Sequence, residues 1–223
     1  MTSRSRVLLA ECLGTTLLLI GVVGSGIMAA RLSPDDVGLQ LFQNAVATAA
    51  VLVAIIAIFG TISADFNPAV TIGAWLLGHR AGRDVAPLIV VQVIGAVAGT
   101  VLANLMFDLD AATWSTTSRS GGHLWLSEVV ATVGLLLVVF ALVRAGRTAH
   151  LPYVVGAYIG GAYYFTSSTS FANPAVTVGR TLSDTFAGID PSCAPMFIVM
   201  QLVGVGVAVS LLRALFPAGN PAD

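Results

Sequence analysis

Phe66-Asn67-Pro68-Ala69-Val70-Thr71 and Ala172-Asn173-Pro174-Ala175-Val176-Thr177 are two near-copies of one hexapeptide, set about half the chain apart. Asn is a favoured N-cap and Pro is favoured at the first helical position, where no amide hydrogen is needed, so each Asn-Pro-Ala reads as a helix start. The apolar stretches they open, Pro68–Leu77 and Pro174–Leu182, are short. At 1.5 Å per residue each reaches about 15 Å, half of a bilayer core about 30 Å thick. The expected elements are two half-helices that dip into a membrane from opposite sides.

The rest of the chain supports the membrane reading. Of its 223 residues 57% are hydrophobic and 9% charged, with a mean hydropathy of +0.92, whereas soluble chains carry roughly 25% charged residues. A water-soluble enzyme and a disordered scaffold are both excluded. All ten basic residues are Arg and the net charge is -1, which leaves no basic face for a phosphate backbone, so nucleic acid is not a partner. Cys12 and Cys193 stand apart in apolar runs. His79, His123 and His150 fall at span ends or loops away from metal-ligand spacing, and neither a metal site nor a cofactor is expected. Six segments have the length of about 20 residues that a spanning helix needs: 7–29, 37–59, 86–107, 124–145, 151–169 and 194–216. Arg4 and Arg6 ahead of the first resemble a secretory signal, but Glu11 interrupts the run and no cleavage motif closes it, so a spanning helix is expected there.

Arg is retained on the cytoplasmic side of membranes. Placing both termini inside assigns Arg4, Arg6, Arg80, Arg83, Arg144, Arg147 and Arg213 to the cytoplasm and leaves Arg31, Arg119 and Arg180 outside. The two halves share three markers in one order. Ala10-Glu11 with Thr15 matches Ser127-Glu128 with Thr132, the hexapeptides match, and Gln92-Val93-Ile94-Gly95 matches Gln201-Leu202-Val203-Gly204. Each half holds an odd number of full crossings, so the second enters from the opposite face and the repeat is inverted. The expected fold is an all-α, multi-pass protein of the inner cell membrane. It has six transmembrane helices and two re-entrant half-helices in one domain over residues 1–223, with repeats at about 7–110 and 124–216.

Irregular backbone at membrane depth persists only where it is buried or lines a wet cavity, so the two loops should line a pore. Each half-helix N-terminus carries roughly half a positive charge, and two meeting at the midplane would reject cations and protons. Each Asn oxygen caps its own helix, leaving the amide hydrogens of Asn67 and Asn173 for a passing oxygen. A water held by both donors has its own hydrogens turned outward, which interrupts a proton wire.

Two Asn-Pro-Ala motifs at equivalent places of an inverted repeat resemble the aquaporin family, the major intrinsic proteins, over about residues 7–216. The resemblance implies the aquaporin fold and a homotetramer with one pore per subunit. Counted from each motif, the family's selectivity ring falls on Thr48, Gly161, Ser170 and Val176. Water-selective members place an aromatic, a His and an Arg there, and glycerol facilitators keep the Arg directly after the second motif, where this chain has Val176. Loss of that permanent charge and its fork of donors implies a wide, uncharged mouth. Arg180, one turn beyond, is expected on the surface of the outer loop; the alternative is that it swings its guanidinium back toward the mouth. The run from Phe171 to Gly188 is similar to a bacterial subgroup found with arsenic-resistance genes, which suggests arsenite, an uncharged trihydroxide of about glycerol's size, or methylated arsenicals.

Glu11 and Glu128 are carboxylates in apolar spans, which by default mark function. The family comparison gives them a structural role, accepting hydrogen bonds from the re-entrant backbone. Asp65 replaces the His common in the family two residues before the first Asn. It reads either as a carboxylate near a positive helix end or as a cytoplasmic-vestibule residue that draws or gates solute. Tyr158, Tyr163 and Tyr164 are expected to pack in the core rather than line the pore. Gly95/Gly99 and Gly156/Gly160 have the spacing that lets membrane helices approach closely, within a subunit or between subunits.

The function expected is a passive channel for small uncharged solutes: glycerol-like polyols, arsenite or related neutral arsenicals, and some water. Two other classes are a water-selective pore and an ion-coupled transporter, which also uses inverted repeats and broken helices. The latter needs a titratable group at the centre, and beside the two motifs only Asp65 offers one. A closed structural or adhesive membrane protein is a further class. No nucleophile and base are paired, so no enzyme is expected.

Overall fold

A computed structural model describes residues 3–216, all helix and connecting loop. In chain order the helices are α1 Ser3–Leu32, α2 Val37–Phe59, α3 Pro68–Leu76, α4 Gly82–Met106, α5 Gly122–Arg144, α6 Leu151–Phe165, α7 Pro174–Arg180 and α8 Ala194–Leu215, with a 3-10 turn, Thr148–His150, before α6. The pattern of two long helices, a short one and a long one occurs twice. Both short helices begin at the Pro of an Asn-Pro-Ala, with Asn67 and Asn173 as extended N-caps.

Five helices, α1, α2, α4, α5 and α8, are by themselves long and apolar enough to cross a membrane. The fifth expected span is shorter than the sequence suggests. α6 stops at Phe165 instead of running to 169, because Thr166 turns extended and its hydroxyl bonds back to the Ala162 carbonyl at 2.6 Å. Ser167 bonds Ser127, and Ser168 bonds Glu128. Hydroxyl side chains that compete for local partners end helices, and at this position they start the descent toward α7.

Within the first half α1 packs on α2 and α4; within the second α5 packs on α6 and α8. The short helices cross over, α3 lying against α8 and α7 against α4, so each half completes the other's interior. Both small-residue pairs act inside the chain. A Cβ on Gly95 or Gly99 would stand 2.4 or 2.3 Å from the Cys12 or Thr16 carbonyl of α1, and Gly156 and Gly160 lie against Val53 and Ala49 of α2. Backbone contact this close is how helices associate where burial in lipid offers no drive.

Candidate functional site

Each loop ahead of a short helix is held by one carboxylate. Glu11 Oε1 accepts from Ser63 Oγ at 2.5 Å and the Asp65 amide at 2.8 Å; its Oε2 accepts from the Phe66 amide at 2.7 Å and Gln92 Nε2 at 2.8 Å. Glu128 repeats this with Ser168 Oγ, the Phe171 and Ala172 amides and Gln201 Nε2, at 2.6, 3.0, 2.9 and 2.6 Å. Both glutamates are fully buried. Unpartnered backbone donors would cost several kcal/mol each in an apolar interior, on the order of the desolvation of an amide, so four donors per carboxylate explain why a charge sits in each apolar helix. The Gln residues that mark the repeat are the other half of this device. Each also donates to a threonine of the adjacent short helix, Thr71 or Thr177, at 3.0 Å.

Phe66 and Ala172 take left-handed backbone angles, φ 48° and 47°, which for non-glycine residues cost of order 1–3 kcal/mol. The turn lets the amide of each reach its glutamate while its carbonyl points at the opposite loop. There Asn173 Nδ2 donates to the Phe66 carbonyl and Asn67 Nδ2 to the Ala172 carbonyl, both at 2.8 Å. The Asn oxygens cap their own helices, Asn67 from the Ala69 amide at 2.9 Å, and Asn173 from the Ala175 and Val176 amides at 3.0 and 3.2 Å. The asparagines are less free than their sequence implies. Each Asn has committed one of its amide hydrogens across the junction, so one rather than two remains for the cavity that both residues line.

That cavity, about 770 Å³, runs past both Asn residues. At one end it is lined by Asp65, His79, Arg80 and Tyr153, and at the other by Thr48, Tyr163, Ser170, Val176 and Arg180. Its middle wall is apolar, with Leu18, Val22, Leu52, Val70, Leu135 and Ile159 among its lining residues.

Three of the four positions expected in the ring, Thr48, Ser170 and Val176, line the cavity; Gly161 does not. Gly161 is exposed, with only Phe165 near it. Two residues of helix turn about 200°, and Tyr163, on the opposite side of α6, fills the inward position with its hydroxyl 3.2 Å from Thr48 Oγ1. Tyr163 is thus a lining residue as well as a packed one. The signal for it was the α6 period: Pro152, Val155, Ile159 and Tyr163 all face the cavity, whereas counting backward from the second motif crosses an irregular loop. Tyr158 does pack in the core, against Gly134, its hydroxyl reaching the Ala131 carbonyl at 3.1 Å; Tyr164 is exposed.

Arg180 is not a surface residue. It is 2% exposed, lines the cavity, donates from Nε to the Ala187 carbonyl and stacks on Phe171 with its guanidinium carbon 3.5 Å from the ring centre. The chain after α7 folds back over the helix end and supplies that carbonyl. The mouth on this side is therefore charged. At the opposite end Asp65 accepts from Arg80 and from Thr71 Oγ1, at 2.8 and 2.9 Å. It ties the start of α3 to the residues just past its end, while His79 stacks on Phe140 with ring centres 5.9 Å apart.

A family model described as the major intrinsic protein matches residues 1–172. Aquaglyceroporin AqpS of Rhizobium meliloti (strain 1021) is 48% identical over 213 residues, which cover 95% of this chain and 91% of its own length. Probable aquaporin AqpM of Archaeoglobus fulgidus is 30% identical over 233 residues, 92% of this chain and 95% of that protein. Among solved structures, the aquaglyceroporin from Plasmodium falciparum matches with a TM-score of 0.76 at 20% identity, covering 96% of this chain and 98% of that one, which speaks to the fold alone. The family match ends just before the second Asn-Pro-Ala, and the relatives carry the likeness through it. The chain is a multi-pass membrane protein and belongs to the major intrinsic protein family.

Proposed function

We propose that this protein is a passive channel for small uncharged solutes, glycerol-like polyols with accompanying water, and that it excludes cations and protons. The observation that carries this is one continuous cavity of about 770 Å³ running past two helix-capping asparagines. Each asparagine keeps one N–H for a passing oxygen. The N-terminal ends of α3 and α7 meet there, and their partial positive charges oppose a cation at the midpoint. The mixed lining suits a solute with hydroxyls on one side and carbon on the other. Arsenite, as a neutral trihydroxide, belongs to the same size class and is the second solute to test.

The Arg distribution supports cytoplasmic termini and an inner-membrane location, so the Arg80 end faces the cytoplasm and the Arg180 end faces out. The assembly we assign is a homotetramer with a pore in each subunit. The pore carries the selectivity of its outer end on Thr48, Tyr163, Ser170 and Val176.

Stopped-flow light scattering on proteoliposomes in a glycerol gradient tests the reading, because shrinking reports water and reswelling reports solute. Reswelling well above that of empty vesicles is expected. A water-selective pore is the second reading, favoured by the buried Arg180, and fast shrinking without reswelling would establish it in place of the first.

A further inference from the structure

Two guanidiniums without a carboxylate partner among the described residues flank Phe171 at the outer end, Arg180 in the cavity wall and Arg119 outside it. The described ion pairs join Arg4 to Asp84 and Arg80 to Asp65, both away from this end. Arg180 spends only its Nε, on the Ala187 carbonyl; among the described residues its Nη groups meet no acceptor. Arg119, from the segment between α4 and α5, stands 5.3 Å from the centre of the same Phe171 ring. It is anchored by Nε to the Gly188 carbonyl at 2.8 Å and by Nη2 to the Phe186 carbonyl at 3.4 Å. The other polar groups here differ in how far they are satisfied. The Thr48 and Tyr163 hydroxyls bond each other, whereas Ser170 Oγ is buried at 3% residue exposure, lines the cavity and has no partner among the described residues.

Val176 and Arg180 are four residues apart and share one face of α7. Side chains of an α-helix tilt toward its N-terminus, so an arginine one turn later leans back over the valine. Burying a guanidinium without a counter-ion is costly; the ring face and the returning loop's carbonyl offset part of that cost. The result is a fixed positive charge in the pore wall with N–H groups unspent.

We propose that Arg180 is a further specificity-determining residue of the outer mouth, beside Thr48, Tyr163, Ser170 and Val176. It supplies, from one turn further along α7, the charge and the donors that Val176 lacks, with Ser170 as the companion hydroxyl. A permeant must then offer oxygen lone pairs to this pair and carry no positive charge, which selects small polyhydroxylic solutes. Arg119 acts through Phe171 as a positioning residue. The inference rests on the channel reading above and deepens it.

The test uses full-length protein in proteoliposomes and compares wild type, Arg180→Gln and the relocated pair Val176→Arg/Arg180→Val. Co-flotation of the protein with the vesicles verifies insertion, the glycerol-to-xylitol ratio of reswelling reports size discrimination, and an entrapped pH dye reports proton leak under an imposed potential. Arg180→Gln is expected to lower the glycerol-to-xylitol ratio on the order of tenfold, as loss of a charge-assisted donor set implies, and to leak protons. The relocated pair is expected to restore proton exclusion. An unchanged ratio together with an unchanged leak in Arg180→Gln would overturn the assignment. If that variant does not insert, Arg180→Lys takes its place, keeping the charge without the planar fork. It should exclude protons as wild type does but change the polyol ratio, and wild-type behaviour on both counts overturns the assignment. Wild type is scored separately. Glycerol flux equal to empty vesicles sinks the channel reading and the inference with it, whereas wild-type flux with indifferent Arg180 variants sinks the inference alone.

Discussion

At the residue scale, the Thr48 end of the cavity has Gly161 and Tyr163 on opposite sides of α6, and only one of them can govern flux. Tyr163 lines the cavity against Thr48, while Gly161 faces away with open space beside it. Tyr163→Ala is therefore expected to admit longer polyols on the order of tenfold faster, the factor that about 1.4 kcal/mol of barrier carries. Gly161→Leu is expected to leave the glycerol reswelling rate as it is. A reswelling assay with glycerol and xylitol checks both, and the reverse pattern would put the constriction back on the glycine. Asn67 and Asn173 were legible in the sequence because each caps its own helix, and Glu11 and Glu128 because they are carboxylates at matching places of the repeat, although their partners lie far along the chain. A cap needs only its own helix, and a carboxylate in an apolar span needs a reason. Arg180 was not legible. Its burial depends on residues 181–190 folding back to offer the Ala187 carbonyl, and no spacing along the chain encodes that return.

At the element scale, the long helices close on one another through glycine, and the two sides of the interior follow one rule. Gly99 lets α4 come so near α1 that a Cβ would meet the Thr16 carbonyl at 2.3 Å, and backbone cannot yield as a side-chain tip can. Gly99→Leu is expected to destabilise the protein by about 1–3 kcal/mol or more, the usual range for overpacking, read as a lowered melting temperature in detergent. Gly206 on α8 has nothing within reach of its Cβ, and Gly206→Ala should change stability by no more than about 0.5 kcal/mol. Equal losses from both would refute the close-approach account. The helix starts at Asn-Pro-Ala were readable because capping is a local property. The end of α6 was not, since hydropathy alone carries the span through Thr166-Ser167-Ser168, and only their bonds to Ala162, Ser127 and Glu128 end the helix at Phe165.

At the scale of the whole molecule, the crossing of α3 to α8 and α7 to α4 decides what the pore can do. Because each half's short helix packs on a long helix of the other half as well as on one of its own, and each loop's asparagine is bonded to the other loop's carbonyl, the centre is a junction made by both halves at once. Rocking one half against the other, as alternating access requires, would break both cross-loop hydrogen bonds and unseat both short helices. A fixed pore needs neither motion. The carboxylate beside the first motif is held by partners as well: Asp65 is paired with Arg80 at 2.8 Å and bonded to Thr71. Solute flux should therefore be uncoupled. The reswelling rate in a glycerol gradient is expected to be the same with and without an imposed proton gradient, to rise linearly with glycerol concentration, and to stay independent of the gradient in Asp65→Asn. Saturating flux that collapses when the gradient is dissipated would require the two halves to move, and with that the cross-loop bonds would have to be one state of a cycle instead of the permanent centre of a channel.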